Sequence, residues 1–455
     1  MNKSSVPHPG PFPEDFLFGV ATASYQIEGA HNSDGRKPSI WDTFSRTPGK
    51  VHNGDTGDIA CDHYHLWESD LDLIKSMHMD AYRFSIAWPR VIPDGTGSLN
   101  SKGLAFYDRL VDGCLERGLK PFATLYHWDL PMSIQDRGGW THASTALAFA
   151  EYAQQITRHL GDRLASISTF NEPWCSSILG YLFGIHAPGE TSMDATLASV
   201  HYQHLGHGLA VQAIRAENAQ LDTGIVLNVH SVYPATNNTE DADAAARGHD
   251  FHNQIFLDPL FKGHYPEEFL NELGDRLPAS WQDDLPTIHQ PLDFWGLNYY
   301  TPMRVLADPA SEYPAITRAP IPDNTPVTDI GWEVAAETFS DILIKLYDEY
   351  DLPPCYITEN GACYNDEPVD GVITDSRRIE YFAAHLDALA RVIDNGLEIK
   401  GYFAWSLMDN FEWAEGYRMR FGLVHVDYNT QVRTIKDSGH WYSGLALSHS
   451  EGHHQ

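Results

Sequence analysis

Short apolar runs rich in β-branched and aromatic residues recur along the chain, and each carries a polar or aromatic residue at or near its end. Eight such runs predict β-strands at 16–25, 81–88, 121–126, 167–170, 224–227, 294–297, 355–358 and 401–404. The run 81–88 carries Arg83, and the residues that follow the other runs are Gln26, His127 with Trp128, Asn171 with Glu172, Asn228, Asn298 with Tyr300, Glu359, and Trp405.

Between the predicted strands, apolar residues at helical spacing predict helices at 66–77, 104–115, 146–160, 334–346 and 379–393. Strands that alternate with helices indicate a parallel sheet with crossover helices. Eight units in one chain favour a closed (β/α)8 barrel, the TIM-barrel architecture, as a single α/β domain over 1–455. The active site is then expected at the carboxyl ends of the strands, where the polar residues lie.

Two segments, 29–60 and 301–331, are rich in Pro, Gly, Asp and Thr, and we expect them to form long loops after strands of the barrel. These βα loops would deepen the pocket. The two ends, 1–12 and 448–455, are predicted to be flexible tails.

Charge narrows the range of partners. The 455 residues carry a formal net charge of −32, and such a surface repels phosphate backbones and anionic membranes. We therefore expect no nucleic-acid partner. No apolar run approaches the ~20 residues of a membrane helix, and the proline-rich segment 1–16 lacks the apolar core of a signal peptide.

The five cysteines are odd in number and form no CxxC pair: Cys61, Cys114, Cys175, Cys355 and Cys363. This pattern is typical of reduced thiols in a cytoplasmic protein, which is the location that we expect.

Two acidic motifs stand out, TFNEP at 169–173 and ITENG at 357–361. In each, a β-rich run leads directly into a glutamate that is followed by a chain-breaking residue. Glu172 and Glu359 are therefore expected at strand ends facing one cleft. A pair of carboxyl groups placed in this way suits an acid and a base, and glycoside hydrolysis uses such a pair. Ordinary salt bridges are the less favoured interpretation.

These motifs, with seven others in the same order, resemble family 1 glycoside hydrolases, the β-glucosidase family. The other segments are FLFGVATASYQIEG (16–29), YRFSIAWPR (82–90), LYHWDLP (125–131), DRGGW (136–140), GLNYY (296–300), WSLMDNFEW (405–413) and RFGLVHVDY (420–428). The resemblance covers nearly the whole chain and implies a retaining double-displacement mechanism.

The resemblance also implies catalytic roles. Glu359 would be the nucleophile and Glu172 the acid/base. Arg83 and Tyr300 would hold Glu359 ionised, and Asn298 would belong to the same catalytic group. No metal or other cofactor is implied.

Sugar-binding residues follow from the same resemblance. They are Gln26, His127, Trp128, Asn171, Trp405, Glu412, Trp413 and Phe421. The phospho-sugar branch of the family has a small hydroxyl residue where this chain has Glu412. A carboxylate there would repel a 6-phosphate, so we expect glucosides with a free 6-hydroxyl. β-Glucosides and cello-oligosaccharides are the expected substrates, with side activity on β-galactosides and β-fucosides.

The leaving-group side is expected to contain Trp174, Cys175, His230 and Trp332. The chain has Ala335-Ala336 where many family members have Tyr-Pro, so the preferred leaving group stays open. So does the choice between a monomer and a homo-oligomer.

Three alternatives remain at this point. Histidines at 201, 204 and 207 or at 63 and 65 could bind a metal, but no HExxH pattern occurs and packed or solvated histidines are favoured. A catalytically inactive sugar-binding barrel is disfavoured because both glutamates are present. A transglycosylase would use the same covalent intermediate.

Overall fold

The computed structural model describes residues 10–452, and within them eight parallel strands close into a barrel. The strands are β1 Leu17–Ala21, β2 Ala81–Ser85, β3 Lys120–Tyr126, β4 Ser166–Asn171, β5 Thr223–Asn228, β6 Phe294–Asn298, β7 Cys355–Asn360 and β8 Ile399–Trp405. Each strand pairs with the next, and β8 returns to β1, where Leu17 lies opposite Gly401. The predicted (β/α)8 barrel is confirmed.

Long helices surround the barrel. They are His63–Ser76, Ser101–Glu116, Ala143–Leu160, Met193–Glu217, Ala336–Glu349, Ser376–Asp394 and Asp437–Gly452. Shorter helices lie in the connections: Ser24–Ile27, Ile40–Ser45, Trp88–Val91, Met132–Gln135, Thr239–His249, Ile255–Phe261, Glu267–Leu273 and Trp281–Ile288.

The apolar pattern did not predict the bounds of Met193–Glu217, the longest of these helices, although the segment with His201, His204 and His207 was expected to be helical. Its buried face includes His201, Gln203 and His204, so it lacks the apolar periodicity by which an amphipathic helix is recognised.

The segment 301–331 differs from its prediction as a loop. Met303–Ala307 is a strand that pairs in parallel with Val232–Pro234 and antiparallel with Ile316–Arg318. The three strands are too short and too rich in flanking turn residues to give a clear alternation. The segment 29–60 contains the helix Ile40–Ser45, which begins with a capping box between Ser39 and Asp42.

The predicted tails are partly structured. Phe12 is buried and stacks on Phe16 with ring centroids 4.5 Å apart. The last helix continues to Gly452. Residues 1–9 and 453–455 lie outside the described residues.

Aromatic side chains fill the lower half of the barrel. Phe122, near the start of β3, lies 5.0 Å from Phe403 and 5.3 Å from Tyr356 between ring centroids. This packed layer supports the residues at the upper ends of the strands. In residues 10–452 no helix is long and apolar enough to cross a membrane. The five cysteines are buried and unpaired.

Candidate active site

A cavity of about 610 Å³ lies at the carboxyl ends of the barrel strands. Fourteen of the predicted site residues line it: His127, Trp128, Glu172, Trp174, Cys175, His230, Asn298, Tyr300, Trp332, Glu359, Trp405, Glu412, Trp413 and Phe421. The other three, Gln26, Arg83 and Asn171, are buried and hydrogen-bonded next to the lining residues. The volume suits a ligand of one or two sugar units.

Glu359 lies in β7 opposite Asn298 of β6 and is held by a cation and a phenol. The Arg83 guanidinium donates to Oε1 at 2.7 Å, and the Tyr300 hydroxyl donates to Oε2 at 2.7 Å. Burial raises the pKa of Glu359 above its usual value, and the Arg83 charge and both hydrogen bonds limit this rise. Each carboxylate oxygen therefore has a donor that stabilises the ionised form.

Glu172 lies just beyond β4 with a positive φ of 48°. Its Oε1 accepts from Asn298 Nδ2 at 2.7 Å, and its Oε2 accepts from the Cys175 thiol at 2.9 Å. Burial and then the charge of Glu359 raise the pKa of Glu172 to about 8. Both donors are neutral, so Glu172 retains its proton near neutral pH while Glu359 is the carboxyl favoured to ionise.

Asn298 belongs to a hydrogen-bond network that joins Glu172 to the residues around Glu359. Its Nδ2 donates to Glu172 and also to Asn171 Oδ1 at 3.0 Å, and Asn171 accepts from Arg83 at 2.6 Å as well. The Thr358 hydroxyl donates to Asn298 Oδ1 at 2.7 Å and so fixes the orientation of the amide. This network fixes the positions of both glutamates relative to each other.

Three buried polar atoms of the predicted sugar-binding residues have no hydrogen-bond partner within residues 10–452. His127 Nδ1 and Glu412 Oε2 belong to residues that line the cavity, and Gln26 Oε1 belongs to an amide bonded to the Phe411 carbonyl. Burial and the nearby Arg83 charge keep the pKa of His127 well below its usual value. The neutral ring accepts from Asn171 Nδ2 at 3.2 Å through Nε2, which leaves a hydrogen on Nδ1. Buried polar atoms without partners are uncommon, and this group fits a ligand with several hydroxyl groups.

Tryptophans form the apolar part of the same region. The His127 ring lies nearly parallel to Trp405 and to Trp413, with centroids 6.0 Å and 5.9 Å away. Trp128 lies 4.4 Å from Trp413 and donates its indole hydrogen to the Asn171 carbonyl. Flat indole faces next to unpartnered polar atoms suit a sugar ring, which has an apolar face and a polar rim.

The protonation state of Glu412 affects the expected repulsion of a 6-phosphate. Burial, followed by the charges of Glu359 and other glutamates, raises its pKa to about 8. A carboxyl group that is protonated near neutral pH does not repel a 6-phosphate by its charge. The argument against phosphate then depends on the lack of a cation beside Glu412. Arg318, the only Lys or Arg among the described residues that line the cavity, lies near His230 and His252.

The cavity is also lined by Trp174, His230 and Trp332, which we expected on the leaving-group side, and by His252 and Arg318, which were not predicted. Trp174 donates its indole hydrogen to His252 Nδ1 at 2.8 Å, and the His230 ring lies 4.6 Å from Trp174. His252 belongs to the π-helix Asp250–Gln254 and Arg318 to the small sheet. Neither element has a sequence signature, so both residues were missed.

Cys175 begins the π-helix Cys175–Leu182 and contacts the Glu172 carboxyl group itself. It was predicted only to border the leaving group.

The histidines considered as metal ligands are in other contacts. His201 lies 3.0 Å from Asp284, His201 and His204 both lie near the Tyr265 hydroxyl, and His63 lies 2.8 Å from Asp70. Within the described part of the chain, no group of three or more His, Cys, Asp or Glu residues is placed to hold a metal ion.

Comparisons with known proteins cover nearly the whole chain. A β-glucosidase from Agrobacterium sp. is 58% identical over 445 residues, which are 97% of each chain. A bifunctional β-D-glucosidase/β-D-fucosidase from Bifidobacterium breve is 44% identical over 461 residues, covering 96% of this chain and 99% of the relative. The solved complex of virulence factor SghA from Agrobacterium tumefaciens with its substrate analog salicin has a TM-score of 0.94 at 58% identity, covering 96% of both chains.

A model of glycosyl hydrolase family 1 matches residues 8–451. With the barrel and the two glutamates at its carboxyl end, this match shows that the chain belongs to glycosyl hydrolase family 1.

Proposed function

We propose that this family 1 glycoside hydrolase is a retaining β-glucosidase in which Glu359 is the nucleophile and Glu172 the acid/base. The observation that carries the assignment is the difference between their surroundings. Glu359 accepts hydrogen bonds from Arg83 and Tyr300, whereas the Glu172 carboxyl group accepts, among the described residues, only from the neutral donors Asn298 and Cys175. Environments that separate the pKa values of two carboxyl groups identify acid and base.

In the first step, ionised Glu359 attacks the anomeric carbon, and the bond to the leaving group breaks. Glu172 gives its proton to the departing oxygen. The product is a glucosyl ester of Glu359.

In the second step, the ester has no charge at position 359. The Glu359 charge is one cause of the raised pKa of Glu172, so this pKa falls when the ester forms. Glu172 then removes a proton from water, which attacks the anomeric carbon from the side that the leaving group has vacated. Two displacements give net retention of configuration.

The names of the relatives support glucosides as substrates, with β-fucosides as a second class. The unpartnered atoms of Gln26, His127 and Glu412 would bond to glucose hydroxyls above the Trp405 face. Both the family and these names favour hydrolysis over transglycosylation.

The test is to follow hydrolysis of 4-nitrophenyl β-D-glucoside by proton NMR and identify the anomer formed first. We expect β-glucose before mutarotation, and side activity on the β-galactoside and β-fucoside. First formation of α-glucose would contradict a retaining mechanism. Lack of hydrolysis by folded enzyme would contradict the proposed substrate.

We further propose a cytoplasmic location, which the five unpaired cysteines support. Fractionation of the native cells with an activity assay tests this; activity confined to the medium or periplasm would contradict it. Monomer and homo-oligomer are distinguished by light scattering.

A further inference from the structure

The Cys175 thiol lies inside the active site although neither displacement step uses it. Its backbone amide donates to the Glu172 carbonyl at 3.0 Å, which fixes the start of the π-helix against the acid/base residue. The Cys175 thiol donates to Glu172 Oε2, with sulfur and oxygen 2.9 Å apart. The π-helix begins three residues after Glu172. Its first side chain therefore donates a hydrogen bond to the Glu172 carboxyl group.

The thiol is the donor in this contact. Burial, and next the charge of Glu172 whenever that group is ionised, raise the pKa of Cys175 well above its usual value, so the sulfur keeps its hydrogen. Asn228 Nδ2 lies 3.7 Å from the sulfur on its other side. The amide of Asn228 therefore donates to the sulfur, and the thiol donates to Glu172.

The two oxygens of Glu172 have different donors. Asn298 Nδ2 donates to Oε1, and the same amide also donates to Asn171 Oδ1. Among the described residues, only the Cys175 thiol donates to Oε2. A donor to a carboxylate stabilises the ionised form more than the protonated form, so the thiol favours the state in which Glu172 acts as a base.

We propose that Cys175 is a positioning residue that holds the Glu172 carboxyl group in place and stabilises its ionised form for the second displacement. The proposal rests on the acid/base role proposed above for Glu172. Other charged groups near this pair are Glu359 from β7, Glu412 from the segment after β8 and Arg83 from β2. These groups remain unchanged when only the thiol is replaced.

The test uses Cys175→Val, which keeps a similar volume but has no donor, and Cys175→Ser, which keeps one. Cys114→Val is the matched control, because it makes the same substitution at a buried cysteine of the helix Ser101–Glu116. The substrate is 2,4-dinitrophenyl β-D-glucoside, whose leaving group needs no acid. A burst of dinitrophenolate verifies that the second displacement limits kcat.

In Cys175→Val we expect the acidic limb of kcat to move to higher pH by about half a unit to one unit, the size expected for one lost hydrogen bond. At pH values below the wild-type limb, kcat falls about three- to tenfold. KM falls with it, because the glucosyl-enzyme accumulates, so kcat/KM changes little. Azide restores kcat, since azide attacks without a base. Cys175→Ser shows a smaller shift, and Cys114→Val shows none.

A Cys175→Val enzyme with a wild-type melting temperature and unshifted limbs would overturn the proposal. If Cys175→Val does not fold, Cys175→Ala provides the same comparison, with the same expected shift and the same contrary result. Failure of the acid/base assignment gives a different pattern, because Glu172→Ala would then keep its activity and show no response to azide.

Discussion

At the residue scale, the charge of the donors around each carboxyl group distinguishes the roles that we propose for Glu359 and Glu172. Glu359 has an arginine and a tyrosine, and Glu172 has an asparagine and a cysteine. The first pair was expected from the family resemblance, because Arg83 belongs to the motif YRFSIAWPR and Tyr300 to GLNYY. The sequence did not predict the thiol contact, since this depends on the direction of a side chain in a π-helix.

Tyr300→Phe tests how the surroundings of Glu359 act. Loss of the phenol removes a donor to the carboxylate, so the pKa of Glu359 rises and the acidic limb of kcat/KM moves to higher pH. A hydrogen bond to a charged group is worth about 1.5–3 kcal/mol, which predicts a shift on the order of one pH unit and about a 10- to 100-fold loss of activity.

The measurement is the pH profile of kcat/KM with 4-nitrophenyl β-D-glucoside. Tyr299→Phe is the matched control, because that hydroxyl bonds to Thr338 and Tyr299 is outside the residues that line the cavity. An unmoved acidic limb in Tyr300→Phe, or an equal shift in Tyr299→Phe, would disprove this account of Glu359.

At the scale of elements, the barrel strands could be predicted from sequence but the walls of the cavity could not. A buried parallel strand appears as a short apolar run, which is why all eight were found. The small sheet that carries Arg318 consists of strands of three to five residues within a turn-rich segment. Its side chains are positioned by contacts distant in sequence, so no local pattern indicates them.

The end of β7 has little room for added atoms. A Cβ at Gly361 would lie 1.9 Å from the Trp405 carbonyl oxygen, so Gly361→Ala forces the ends of β7 and β8 apart. We expect a loss of about 1–3 kcal/mol in stability and, because Glu359 and Trp405 both shift, a larger loss of activity.

Gly444→Ala is the control. It lies in the helix Asp437–Gly452 with no atom within 4 Å of the added Cβ, and alanine is favoured over glycine in a helix by about 1 kcal/mol. Thermal unfolding and activity of both variants are measured together. A Gly361→Ala enzyme that is as stable and active as Gly444→Ala would show that this close contact is unimportant.

At the scale of the whole molecule, the buried glutamates of the active site make stability fall as pH rises. Glu172 and Glu412 are buried beside Glu359, and the pKa of each is raised from an ordinary value of 4.5 to about 8. Between these pH values the folded protein holds protons that the unfolded chain has released, so stability falls as pH rises from about 4.5 to about 8.

Glu412→Gln removes one of these groups while keeping its shape. We expect the melting temperature of this variant, relative to that of the wild type, to increase from pH 5 to pH 8. Glu116→Gln at an exposed site is the control and should show no such trend. A constant or shrinking difference for Glu412→Gln would mean that Glu412 does not hold its proton in the folded protein.

The most direct test of the central claim is azide rescue of two variants, Glu359→Gly and Glu172→Ala, with an activated aryl β-glucoside. Removal of the nucleophile lets azide attack the substrate once, so Glu359→Gly is expected to give α-glucosyl azide. Removal of the acid/base leaves the glucosyl-enzyme intact, so azide attacks that ester and Glu172→Ala is expected to give β-glucosyl azide. Products of the opposite configuration, or wild-type turnover by either variant without azide, would contradict the assignment of Glu359 and Glu172.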